Sequence, residues 1–305
     1  MAIKLTAAVI FLGVSLFNFP VYAESLDASP PPAAVKATES APDLDLKVPQ
    51  QSKSEEDMNR MNLRYYKGYF VDAGKIVSSP LRWDTGDWLK LGAVVGATSS
   101  LFLVDDEIND FAQKNQNSVA SKFASVGNFI GDPTYAAAGL GSFYLYGHLA
   151  DDSQARRASM LALESAFIAG IATSAIKLVA SRHRPEDGDG SGMWHGPSLS
   201  TKWMSFSSGH TSTAFSIATV LAEEYKDNKY VPPIAYSLAT LTGLSRIYSN
   251  EHWASDTLFG AALGYFTAKA VLSFHKKDNT KWANRISVMP AVGSQMTGLT
   301  VKYDF

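Results

Sequence analysis

Apolar residues gather in six long runs through the middle of the chain, at about 87–104, 133–150, 157–181, 209–225, 231–247 and 252–275. The runs are rich in Ala, Leu, Ile and Gly and outlast ordinary strands, so they predict helices. Polar breaks separate them: Asp105-Asp106, Asp132-Pro133, Asp151-Asp152, Pro185 with the glycines after it, and Pro232-Pro233. Each carries the residues that stop or start helices. The pattern predicts an all-α fold, a compact helical bundle over 58–283. Residues 284–305 behave differently. Ile286, Val288 and Pro290, then Leu299, Val301, Tyr303 and Phe305, alternate with polar neighbours around Gly293 and Gly298. That alternation predicts a C-terminal β-hairpin packed on the domain.

The N-terminus reads as an address. Lys4 precedes the apolar run Leu5–Phe19, and Val21-Tyr22-Ala23 places small residues for cleavage after Ala23. This is the form of a secretory signal peptide over 1–23; the competing reading is a membrane anchor. Residues 24–57 hold Pro30-Pro31-Pro32, Pro42, Pro49 and the acidic Glu55-Glu56-Asp57, with no apolar period. They are expected to form a disordered leader.

Composition then narrows the chemistry. Among 305 residues, 27 Lys+Arg against 29 Asp+Glu give a net charge of −2, which offers no electrostatic footprint for nucleic acid. Cysteine is absent, so disulfides, thiolate metal sites and a Cys nucleophile are excluded.

Three polar clusters interrupt the apolar runs. In the first, Lys177 and Arg184 are seven positions apart and are expected to share a helix face that Pro185 ends. An anion between them would relieve their repulsion; two solvated cations at a helix C-terminus fit equally well. In the second, Ser207-Ser208-Gly209-His210 precedes an apolar run. Ser208 is a candidate N-cap, Gly209 lets an anion approach the backbone, and His210 projects from the first turn. An ordinary capped helix is the plainer reading. In the third, Arg246 precedes His252 and Asp256, whose i,i+4 spacing predicts one helix face. A carboxylate on one imidazole nitrogen leaves the other as nucleophile or base; a surface pair is the alternative.

Taken together, Lys-x6-Arg-Pro, Ser-Gly-His and Ser-Arg-x5-His-x3-Asp resemble the type 2 phosphatidic acid phosphatase superfamily, which includes bacterial acid phosphatases and vanadium haloperoxidases. Ser207 stands where that family usually has proline. The resemblance implies that Lys177, Arg184 and Arg246, with Ser208 and the Gly209 N–H, bind phosphate. It implies that His252 attacks phosphorus to form a phosphohistidine, that Asp256 orients His252, and that His210 protonates the leaving group. It further implies a metal-independent phosphatase with no cofactor. Vanadate is expected to bind there as a phosphate mimic. The substrate is then a phosphorylated small molecule or a lipid phosphate or pyrophosphate. A haloperoxidase is the alternative activity, and an envelope-associated binding or structural protein the non-enzymatic one.

Other polar residues are less specific. His183 is expected on the surface beside the cations. The loop 186–206, with Trp194 and Trp203, is either a lid or a plain surface loop. Glu164, inside an apolar run, is a candidate buried partner for a cation. The uncharged stretches are mostly shorter than a bilayer span, which favours a periplasmic protein, soluble or peripherally attached, over the membrane alternative.

Overall fold

A computed structural model describes residues 63–199, 203–283, 286–292 and 297–303, with side chains for 65–199 and 203–276. The expected signal peptide and leader lie outside these residues; at the C-terminus β1 (Ile286–Val292) pairs antiparallel with β2 (Thr297–Tyr303). The rest of the described chain is helical, as expected: α1 (Leu63–Val77), α2 (Thr85–Phe102), α3 (Asp105–Lys114), α4 (Ser118–Gly131), α5 (Pro133–Leu149), α6 (Ser153–Ala180), α7 (Gly209–Glu224), α8 (Val231–Tyr248) and α9 (Ala254–Ala283). The six apolar runs became α2 and α5–α9. The helices α1, α3 and α4 lie outside those runs, because their surfaces mix polar and apolar residues too evenly to stand out.

Several polar breaks start the next helix as well as ending the last one. Asp132 accepts from Thr134 N and Tyr135 N at the head of α5, and Asp152 accepts from Ala155 N at the head of α6. Such side chains satisfy amides that the first helical turn leaves without partners. Asp105 and Asp106 lie in the first turn of α3, which has no side-chain cap.

The helix α7 is central, packed against α6, α8 and α9. Its buried positions include Thr211, Ser212, Thr213, Ser216 and Thr219. A buried helix tolerates these hydroxyls because they return to its own carbonyls: Ser216 Oγ donates to Thr213 O at 2.8 Å and Thr219 Oγ1 to Phe215 O at 2.7 Å. Leu140, Leu161, Ile168, Val220, Val271 and Leu272 form the apolar core on one side of it.

Small residues bring α9 against α7. A Cβ on Gly260 would lie 2.6 Å from Ser208 O, and one on Gly264 would lie 2.2 Å from Ser212 O. Neither backbone oxygen can give way without shifting a helix. Gly264→Ala is therefore expected to destabilise the protein by about 1–3 kcal/mol through overpacking. Gly170→Ala, where a Cβ meets nothing within 4 Å, is expected to be neutral or mildly stabilising. Thermal unfolding of the purified variants checks both; equal midpoints would contradict the packing argument.

Two helices are long and apolar enough to cross a bilayer: α6, and α9 over Ala254–Lys276. A third would be α2 with α3 if that pair, bent by 58°, forms one span. Phe70, Leu89, Phe123, Leu145 and Phe167 stand exposed on the outer faces, more apolar surface than a freely soluble domain normally shows. These features support the membrane alternative. The run-length argument undercounted because charged residues interrupt α6 and α9 near positions where the protein itself supplies partners.

Candidate active site

The three clusters converge where α6 ends, α7 begins and α9 begins. The local route differs from the expected one at two places. The helix α6 stops at Ala180, with Ser181 in the left-handed region (φ 44°), so Arg184 lies beyond the helix and shares no face with Lys177. His252 likewise precedes α9. Asp256, in the first turn of α9, accepts from Trp253 N at 3.0 Å, half of a capping box. This cap, and not a helix face, sets His252 near Asp256.

His252 is almost fully buried. Its Nδ1 lies 3.7 Å from Asp256 Oδ2 and 3.5 Å from Ser205 Oγ. Burial, with Lys177 and Arg246 nearby, lowers its pKa to about 3 despite the opposing pull of Asp256. At neutral pH the imidazole is uncharged, and with Nδ1 turned toward Asp256 its Nε2 lone pair is free.

Asp256 is more heavily committed than its pairing with His252 suggested. Besides Trp253 N, it accepts from Arg182 Nη1 at 2.6 Å and from Ser205 Oγ at 2.5 Å. Arg182, fully buried, is the centre of this network. It donates to Asp105 Oδ2 at 2.8 Å, to Ser255 Oγ at 2.8 Å and to Ser191 O at 2.8 and 3.0 Å. Phe102, Trp194 and Trp253 surround its guanidinium. Asp105 also accepts from Ser255 N at 2.9 Å. Sequence reasoning missed both Arg182 and Asp105. In the sequence no Phe, Tyr or Trp lies near Arg182, so the available signal was the break residue Asp105 with its second task.

At the head of α7, Ser208 is the cap as expected, with Gly209 as the first residue, and Ser208 N donates to Asp256 O at 3.1 Å. His210 follows in the first turn. Burial and the positive charge of Arg246 lower its pKa to about 4; Asp132, whose Oδ2 is 3.9 Å from His210 Nε2, opposes this. Lys177 Nζ donates to the carbonyls of Met204 and Ser205. Arg246 donates to Asn128 Oδ1 at 2.8 Å and pairs with Glu251 Oε2 at 3.1 Å. Arg184 Nη1 grips the same Glu251 oxygen. One carboxylate thus sits between two guanidiniums, beside a helix N-terminus.

The described part of the loop 186–206 is built into the site. His183 N donates to Met193 O, His195 N to Ser181 O and Ser205 N to Arg182 O, at 3.0–3.1 Å. His183 is buried, contrary to the surface position expected for it, and its Nδ1 lies 2.7 Å from Asp189 Oδ2. It stacks with His195 and Trp203. The aromatic residues of the loop supply the apolar wall that made this burial possible.

Comparison with known proteins agrees with this geometry. Residues 158–280 match the model of the PAP2 superfamily. A lipid A 1-phosphatase of Porphyromonas gingivalis is 33% identical over 172 residues, which cover 56% of this chain and 35% of that protein. The chain thus matches about a third of the relative's length. Among solved structures, Aquifex aeolicus LpxE aligns at 19% identity over 56% of this chain and 95% of that one, with a TM-score of 0.45. A transmembrane PAP2-type phosphatidylglycerolphosphate phosphatase from Bacillus subtilis aligns at 19% identity over 70% and 95%, with a TM-score of 0.41. With its three motifs gathered at one end of the bundle, the segment 158–280 of this chain is similar to the PAP2 superfamily.

Proposed function

We propose that the protein is a metal-independent phosphatase acting on lipid phosphates at a membrane, through a phosphohistidine intermediate. The observation that carries this reading is the grip of Arg184 and Arg246 on Glu251. The site holds an oxyanion of the protein's own where a phosphate dianion would make stronger, multidentate contacts. Phosphoryl transfer spreads charge over three equatorial oxygens, and Lys177, Arg184, Arg246 and the amides at the head of α7 answer that charge. Cationic side chains here take the part that a divalent ion plays in other phosphoryl-transfer sites.

The chemistry follows from the protonation states. The neutral His252 uses its Nε2 lone pair to form an N–P bond as the P–O bond to the leaving group breaks. His210 gives its proton to the departing oxygen. Its low pKa in the free site reflects burial and the neighbouring cations; a bound phosphate offsets those cations and raises it toward an acid that is populated. Asp256 stabilises the positive charge that the phosphorylated imidazole acquires. Water then attacks phosphorus, its proton passes to His210, the N–P bond breaks and phosphate leaves. Substrates embedded in a bilayer fit the exposed apolar faces around the bundle and the lipid A 1-phosphatase activity of the relative. Export by the N-terminal signal would place this site outside the cytoplasm.

The test is phosphate release by the purified full chain in detergent micelles, from phosphatidate, phosphatidylglycerol phosphate, lipid A and p-nitrophenyl phosphate. Turnover of at least one lipid phosphate is expected, undiminished by chelator and inhibited by vanadate. Release only from the soluble ester would remove the lipid assignment, and a vanadate-insensitive rate would remove the site assignment.

A further inference from the structure

We propose that Asp72, Glu164 and His275 form a site for a first-row divalent cation of the zinc type, which clamps α1 onto the bundle. The three residues come from α1, α6 and α9, and lie away from the phosphate site. Thirteen residues of α6 separate Glu164 from Lys177, roughly 20 Å at helical rise.

One ligand atom from each residue lies within 4.8 Å of the others. His275 Nε2 is 3.0 Å from Glu164 Oε2 and 3.6 Å from Asp72 Oδ2. Neighbouring ligands of a tetrahedral ion with bonds of about 2.0–2.1 Å stand about 3.3 Å apart; the two spacings from His275 bracket that value, and the third is within 4.8 Å. Small side-chain adjustments would admit the ion.

Glu164 supplies the second, independent observation. It is 1% exposed, and its Oε1 has no hydrogen-bond partner. A buried carboxylate oxygen left without a partner is costly, and a cation held by both oxygens of Glu164 would satisfy it. The surroundings orient the donors. Tyr65 OH donates to Glu164 Oε2 at 3.0 Å, and Lys75 Nζ holds Asp72 Oδ1 at 2.6 Å, leaving Oδ2 turned toward His275. Outer contacts of this kind fix ligand geometry in metal sites. Two carboxylates with one imidazole favour zinc or manganese over magnesium or calcium, which prefer all-oxygen sets. Such an ion would be structural. Phosphate transfer at the other end of the bundle needs none.

The experiment uses the purified full chain in detergent with tags removed. It is stripped with chelator, dialysed and titrated with Zn²⁺, and bound metal is counted by elemental analysis alongside thermal unfolding. One tightly held equivalent is expected, with a rise of several degrees in the unfolding midpoint. His275→Gln and Glu164→Gln should abolish both effects, while His148→Gln keeps them. His275→Gln, at the most exposed residue of the cluster, serves if Glu164→Gln does not fold. The stripped enzyme should keep its turnover, which separates this site from the phosphatase reading. Absence of saturable binding, wild-type stoichiometry in a folded cluster variant, or an equal response to Mg²⁺ would each overturn the proposal.

Discussion

Turnover by the His252→Ala variant is expected to fall at least about ten-thousand-fold, equivalent to about 5.5 kcal/mol of transition-state stabilisation. The magnitude follows from what remains. Lys177, Arg184, Arg246 and the α7 amides would still bind phosphate, so affinity for inorganic phosphate should change little while kcat collapses. The discriminating measurement is a rapid quench with ³²P-labelled substrate. Wild-type protein should give an acid-labile, alkali-stable label on one imidazole, and His252→Ala should give none. Normal labelling in that variant would exclude His252 as nucleophile. His210→Asn should instead accumulate label with substrates that carry good leaving groups, because loss of the acid hardly affects the first step while loss of the base slows hydrolysis.

Arg182→Met is expected to be the most damaging single change to stability, at about 3–5 kcal/mol. It leaves Asp105 and Asp256 as buried charges without their common partner. Arg182→Lys should rescue little, since a single ammonium cannot serve Asp105, Asp256, Ser255 and Ser191 O together. Denaturant midpoints check the size, and the double variant with Asp105→Asn checks the mechanism. If the pairing argument is right, the second substitution costs much less in the Arg182→Met background than alone. Additive losses would mean that Arg182 acts through packing against its aromatic neighbours.

Helix identity and the catalytic candidates were largely legible in the sequence, for a physical reason. Apolar runs report burial directly, and Ser208 caps α7 by a local rule that needs no knowledge of the fold. The spacing of His252 and Asp256 also pointed to a true association, although the assumed helix face was wrong. The helix starts between them, and the Asp256 side chain folds back on Trp253 N. What stayed hidden was long-range. Arg182 and Asp105 are 77 positions apart and meet only because α3 packs near the start of α9. Glu251 and Asn128 emerged in the same way, as partners of arginines whose own roles were already suspected. The membrane question turned on a similar point. Glu164 seemed to break an apolar run, yet it meets Tyr65 and His275 inside the structure.

The Arg182 network also has a consequence for biosynthesis. Its two carboxylates and the Ser255 hydroxyl are brought in from positions 105, 255 and 256. A nascent chain that has not yet added α9 carries a guanidinium with one of its counter-charges missing, in a place lined by aromatic rings. His252, the proposed nucleophile, lies on the same late segment. A product truncated before position 252 would therefore lack both the His252 imidazole and part of the charge balance of its core.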